Sequence, residues 1–171
     1  MTAVVKAASY SSGPISTGEI VAILGQYLGP DVAVAATVDP RANMGTTLAG
    51  VEVRFNGVLA PLFAASTGLV TVVVPREVST SGNMTLQLSY NGKPASPINL
   101  LTAETAPGLF STDLSGSGPG TFLNEDGTLN TPENLAKAGS LIIASGTGGG
   151  QTKPPSAMGV ISTSPAPLLP R

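Results

Sequence analysis

Apolar and polar residues alternate most cleanly within residues 48–62, where Val51, Val53 and Phe55 are separated by Glu52 and Arg54. A period of two sends one set of side chains into a core and the other towards water, so the stretch predicts a half-buried strand. Asn56-Gly57 follows at once. Both residue types tolerate positive φ, which a tight type I′ hairpin turn requires. The same grammar recurs further on, where Met84, Leu86, Leu88 and Tyr90 alternate with Thr85, Gln87 and Ser89 and run into Asn91-Gly92. A second hairpin is predicted there, with Ile98, Leu100 and Thr102 on its returning strand.

The other apolar runs are shorter or less regular. Residues 19–25, EIVAILG, are rich in β-branched side chains between two glycines and predict a buried strand. Residues 68–75, GLVTVVVP, are almost continuously apolar and predict a strand buried on both sides. Residues 58–65 read as the return of the first hairpin, interrupted by Pro61, which cannot donate to a ladder and so belongs at an edge or bulge. Residues 32–38, between Gly29-Pro30 and Asp39-Pro40, predict a weaker edge strand, with helix as the alternative because of the alanines. Val4 and Val5 in the lead-in are placed to pair at a sheet edge. Without the lead-in this makes about seven strands by Ala106, the size of an immunoglobulin-type sandwich.

The pattern changes at Pro107. Gly116, Gly118, Gly120 and Gly127 punctuate the next segment, with a short strand at 121–123 and a turn at Asn124-Glu125-Asp126-Gly127. Thr131-Pro132-Glu133-Asn134 combines a capping residue, proline and early acid, and predicts one helical turn through Lys137. Ser140, Leu141, Ile142, Ile143 and Ala144 form an apolar strand, but a Gly- and Pro-rich tail follows it. The expected organisation is a sandwich over residues 1–106, a connecting segment over 107–138, and an unpaired strand with its tail over 139–171. The fold class is thus all-β: an immunoglobulin-like sandwich followed by an incomplete second β module or strand-bearing tail.

Composition narrows the chemistry. The 171 residues include no cysteine and no histidine, which removes disulfides, thiolate sites and nearly every zinc ligand set. Lys and Arg are scattered singly in a chain of net charge −2, so no basic stripe exists to neutralise phosphates, and no nucleic-acid partner is expected. No apolar run approaches the ~18 residues of a membrane helix. Residues 1–8 lack the order of a signal peptide, so the export information is expected elsewhere or the chain is a fragment.

Residues 146–153, GTGGGQTK, resemble a phosphate loop only superficially, because Thr152 stands where glycine should precede Lys153 and prolines follow in place of a helix. They read as a flexible or strand-linking loop. The acids of the 124–127 turn, with Asp113, could offer oxygens to calcium, but the EF-hand pattern is absent and a plain β-turn is the expectation. Serine has no histidine to activate it and no G-x-S-x-G motif. Neither an enzyme nor a cofactor is expected. The tyrosines and phenylalanines are too dispersed for a stacking platform and read as core and corner residues.

The order of several motifs resembles a known family: Ala7-Ala8-Ser9-Tyr10, Pro14-Ile15-Ser16-Thr17-Gly18-Glu19-Ile20-Val21, Gly25-Gln26-Tyr27-Leu28-Gly29-Pro30, Ala106-Pro107-Gly108-Leu109-Phe110 and Leu123-Asn124-Glu125-Asp126-Gly127. They are similar to the uncharacterised Solibacter-type C-terminal domains of acidobacterial secreted proteins, and the first half also resembles the IPT/TIG immunoglobulin-like modules. The resemblance implies a secreted or surface-exposed, non-catalytic module with no catalytic residues to carry over. Members of that family continue into a second sandwich, whereas this chain stops at Arg171.

The functional expectation is an extracellular or cell-surface structural module. Its lone strand, Ser140, Leu141, Ile142, Ile143 and Ala144, would complete a neighbour's sheet and build a homopolymer or filament. The alternatives are an adhesin-like module whose loops at 39–47 and 79–83 meet a surface glycan, and an accessory domain of a larger exported protein.

Overall fold

A computed structural model describes residues 1–37 and 43–152, which form strands and turns with no helix among them. The chain passes through β1 (Ala3–Lys6), β2 (Ile20–Leu24), β3 (Val34–Ala35), β4 (Thr47–Leu48), β5 (Val51–Phe55) and β6 (Val58–Leu59). It continues through β7 (Leu62–Ala65), β8 (Leu69–Val73), β9 (Asn83–Tyr90), β10 (Lys93–Pro94) and β11 (Ile98–Leu101). One sheet has the order β1-β2-β8-β7-β3, and the other is centred on β9 and β5. All named pairings in both are antiparallel, including the β1–β2 pairing expected of Val4 and Val5.

The two sheets close on each other through the alternating residues. Val51, Val53 and Phe55 of β5 meet Met84, Leu86 and Leu88 of β9, with Val53 opposite Leu88 and Phe55 opposite Leu86, and all six are buried. From the other sheet come Val21, Ile23, Leu62, Val70 and Val72. Burying each such side chain contributes roughly 1.5–3 kcal/mol. The strand buried on both faces is β2, where Val21, Ala22 and Ile23 are consecutively buried. In β8, expected to be the doubly buried strand, Leu69, Thr71 and Val73 remain half-buried. In the weaker 32–38 run Val34 and Ala35 pair with β7 at the sheet edge and the Ala36 amide bonds to the Phe63 carbonyl, while Val38 lies outside the described residues, as do Asp39 and Pro40.

Turn chemistry sets the register. Asn56 and Gly57 have φ of 48° and 84°, and Asn91 and Gly92 have 48° and 75°, as type I′ turns demand. A third such turn, unexpected from the sequence, is Ala49-Gly50 between β4 and β5, with φ of 47° and 80°. The expected 58–65 strand is divided: β6 stays with β5, whereas β7 pairs with β8 in the opposite sheet. Pro61 sits in this crossover, where its missing N–H is not needed and its carbonyl accepts a bond from the Val73 amide at 2.9 Å.

Beyond the sandwich come β12 (Gly108–Leu109), β13 (Phe122–Asn124), β14 (Ile142–Ala144) and β15 (Gly146–Thr147). β12 pairs with β15 and β13 with β14. The switch between partners falls at Ser145, whose amide donates to the Thr121 carbonyl and whose carbonyl accepts from Phe110. Residues 142–147 thus straddle two strands of one hairpin. The helical turn expected at 131–137 is absent. Instead the Thr131 and Asn134 backbones bond to each other in both directions, and the Asn134 side chain donates to Thr128 Oγ1 and the Leu129 carbonyl. One helical turn offers too little to compete with those bonds.

Candidate functional site

The strand expected to be unpaired has a partner. In β14, Ile142, Ile143 and Ala144 lie opposite Asn124, Leu123 and Phe122 of β13. The picture of a lone strand in need of a neighbour's sheet is therefore corrected: the hairpin that ends in β13 brings that partner within the molecule. What remains is an edge. Among the described residues no strand lies on the far side of β14. Leu141, Ile142 and Ile143 are 65%, 51% and 49% exposed. Ala144 is exposed as well, while the Ser140 hydroxyl donates to the Lys137 carbonyl at 2.7 Å.

The edges of the sandwich differ in chemistry. β10 is Lys93-Pro94 and β1 ends in Lys6, residue types that discourage a further strand. Residues 140–147 contain neither charge nor proline.

Beside the start of β14 is a cavity of about 310 Å³ lined by Asn124, Glu125, Asp126, Asn134, Leu135 and Lys137, among others. An asparagine network forms its wall. Asn124 Nδ2 donates to Thr128 Oγ1 and the Asn134 carbonyl, and Asn124 Oδ1 accepts from Asn130 at 2.8 Å. The expected β-turn is present, with the Gly127 amide on the Asn124 carbonyl at 2.9 Å. Asp126 Oδ1 accepts from the Thr128 hydroxyl and amide, which lowers its pKa. That oxygen is thus engaged in shaping the turn. Among the described residues no three acidic side chains gather at a metal-binding distance.

The glycine-rich segment after β14 joins the two parts of the molecule. Thr147 Oγ1 accepts from the Ile20 amide at 2.8 Å, the Gly148 carbonyl accepts from the Ala106 amide, and the Gly150 carbonyl accepts from Arg76 Nη1. Gln151 returns a bond to the Arg76 carbonyl. Gly148 and Gly150 have φ of 80° and 79°, and a Cβ on either would overlap the carbonyl of Ala106 or Glu104. The expected loop instead begins as β15, and its following glycines dock on the sandwich, with Lys153 outside the described residues.

Two arrangements escaped the sequence. Glu19, read only as the start of a strand, is fully buried, with Oε2 accepting from the Ser16 amide at 2.8 Å. Glu19 Oε1, Ser16 Oγ and Thr17 Oγ1 are buried without a protein partner. Burial raises the Glu19 pKa, against the opposing pull of the Ser16 amide and the Lys6 charge.

The second is aromatic. Tyr27 and Tyr90, far apart in the chain, line one cavity of about 310 Å³ with Leu28, Leu88, Lys93 and Pro94. Tyr27 is 83% exposed, so it is neither a core nor a corner residue. Of the loops suggested for a glycan, residues 39–42 lie outside the described residues, and the 79–83 loop is held by the Thr102 hydroxyl on the Thr80 and Gly82 carbonyls.

No curated protein and no solved structure matches the chain. The IPT/TIG domain family matches residues 3–104, a span that coincides with β1 to β11. Domains of this kind are immunoglobulin-like, generally non-enzymatic modules for structure and protein interaction, and they are frequent in extracellular proteins. Since the match takes in more than half of the 171 residues and both sheets of the sandwich, the chain belongs to the IPT/TIG domain family.

Proposed function

We propose that this chain is an exported, non-catalytic structural module whose copies associate through the free edge of β14. The observation that carries the reading is that edge: exposed apolar side chains on a strand with one neighbour among the described residues, in a segment without charge or proline. A row of backbone groups on such an edge is a template for a further strand. The extracellular setting common among IPT/TIG domains and the resemblance to acidobacterial secreted domains support export.

Association here extends the β13–β14 sheet by edge pairing and completes no missing strand. The contact residues are Leu141, Ile142, Ile143 and Ala144, with Ser140 at the strand entrance. Two β14 edges pairing about a two-fold axis close as a dimer, whereas β14 meeting a different edge of the next copy propagates a filament.

The test compares the chain with Ile142→Lys by light scattering coupled to size exclusion, with negative-stain microscopy to separate dimer from filament. The unsubstituted chain is expected to form dimers or larger species, and the lysine variant to be monomeric with an unchanged melting temperature. A chain that stays monomeric at every concentration, or an assembly indifferent to Ile142→Lys, overturns the reading.

A further inference from the structure

Tyr27 is displayed at a cost. Its φ is 57°, a left-handed conformation that is a genuine outlier for a bulky side chain. Such strain persists only where the surroundings over-determine it, and it gathers at ligand sites. The surroundings are evident on both sides: the Gly25 amide bonds to the Gly68 carbonyl, the Leu28 amide to the Thr67 carbonyl, and Leu28 itself is buried. The loop is pinned at both ends while its tyrosine stands in solvent and lines a groove with Leu28, Leu88, Tyr90 and Pro94.

We propose that this groove binds a proline-rich peptide segment in an extended, polyproline conformation. Donors outnumber acceptors around it. The two tyrosine hydroxyls, the Lys93 ammonium and the Gln26 amide all donate, and none of the lining side chains is a carboxylate. A sugar brings hydroxyls that must each donate as well as accept, and the lining side chains accept only at the two phenol oxygens and the Gln26 carbonyl. A proline-rich segment brings carbonyl acceptors and few N–H groups, because proline has none and the polyproline helix makes no internal hydrogen bonds.

The apolar remainder of the lining suits pyrrolidine rings, and aromatic-walled grooves are the general means of gripping them. A polyproline helix turns once in about three residues, so prolines three apart share a face. Pro167 and Pro170 of this chain have that spacing, which makes its own sequence at 164–171 a fitting probe.

The test titrates the synthetic peptide Ser-Pro-Ala-Pro-Leu-Leu-Pro-Arg into the full chain carrying Pro167→Ala and Pro170→Ala, followed by amide shifts in NMR spectra. The other arms are the same peptide with every proline replaced by alanine, and maltohexaose. Saturable shifts are expected at Gln26, Tyr27, Tyr90 and Lys93 with the proline peptide alone. Tyr27→Gly, which relaxes the strained backbone and so keeps the fold, should weaken binding at least about tenfold. The proposal is overturned if the proline peptide produces no shifts or shifts elsewhere, if the alanine peptide binds equally, if Tyr27→Gly leaves the affinity unchanged, or if maltohexaose moves the same amides.

Discussion

Phe55, Ile23, Leu62, Met84, Leu86 and Leu88 are among the fully buried side chains of the sandwich, whereas the buried residues of 105–152 are Ala106, Ser111, Asn124, Gly148, Gly150 and Thr152. No large apolar side chain is buried in the second region. It is held by the asparagine network, by backbone bonds and by glycines that let two chains approach closely. The contrast teaches that one short chain can use two different cements. Apolar area stabilises in bulk and tolerates imprecision, whereas a hydrogen bond contributes only about 0.5–1.5 kcal/mol net but costs more when a buried partner is left without its mate.

The contrast can be broken by experiment, most forcibly at Phe55. Phe55→Ala should cost about 3–5 kcal/mol in urea denaturation, because it empties the middle of the core. An equal loss from truncating an exposed β14 residue such as Ile142 would erase the distinction between the regions. Gly148→Ala comes next. Its positive φ alone costs about 1–3 kcal/mol for a side-chain-bearing residue, and the new Cβ meets the Ala106 carbonyl. Limited proteolysis should then cut within 105–152 while the sandwich stays intact, and joint unfolding would show a single cooperative unit.

Asn124→Ala should cost about 1–3 kcal/mol through the half-buried Asn130 side-chain amide it leaves without its acceptor, with hydrogen exchange rising across 122–134 alone. The smallest effect tests the buried carboxyl within the sandwich. Glu19 has a folded pKa above its ordinary 4.5, so its contribution to stability is full below that value and is lost as pH rises through the folded pKa. Glu19→Gln stays neutral. It should match the parent near pH 4 and melt on the order of a few degrees higher towards neutrality, a divergence that melting curves across pH would read.

The same division explains what the chain disclosed in advance. Alternation at Val51, Val53 and Phe55, and the turns Asn56-Gly57 and Asn91-Gly92, were readable because local chemistry and tertiary burial agree there. Pro61 announced an interruption but not that the interruption carries the chain from one sheet to the other. Ala49-Gly50 was missed because alanine carries no signal for positive φ, and its neighbour Gly50 is required there by the Asn91 side chain packed against it. The pairing of β13 with β14 was hidden because each strand is three residues long and exposed on β14, so neither shows a period. The helical turn at 131–137 failed where Asn134 found better partners across the turn than along a helix. At the candidate sites, the apolar edge was visible as residues but not as an edge, and Tyr27 with Tyr90 could be joined only once the strands were folded.

The ties between Thr147 and Ile20, Gly148 and Ala106, and Gly150 and Arg76 have a mechanical consequence. A pull entering from beyond residue 152 reaches these few bonds before it loads any strand of the sandwich. They would part first and let the small appended sheets come away while the sandwich keeps its fold.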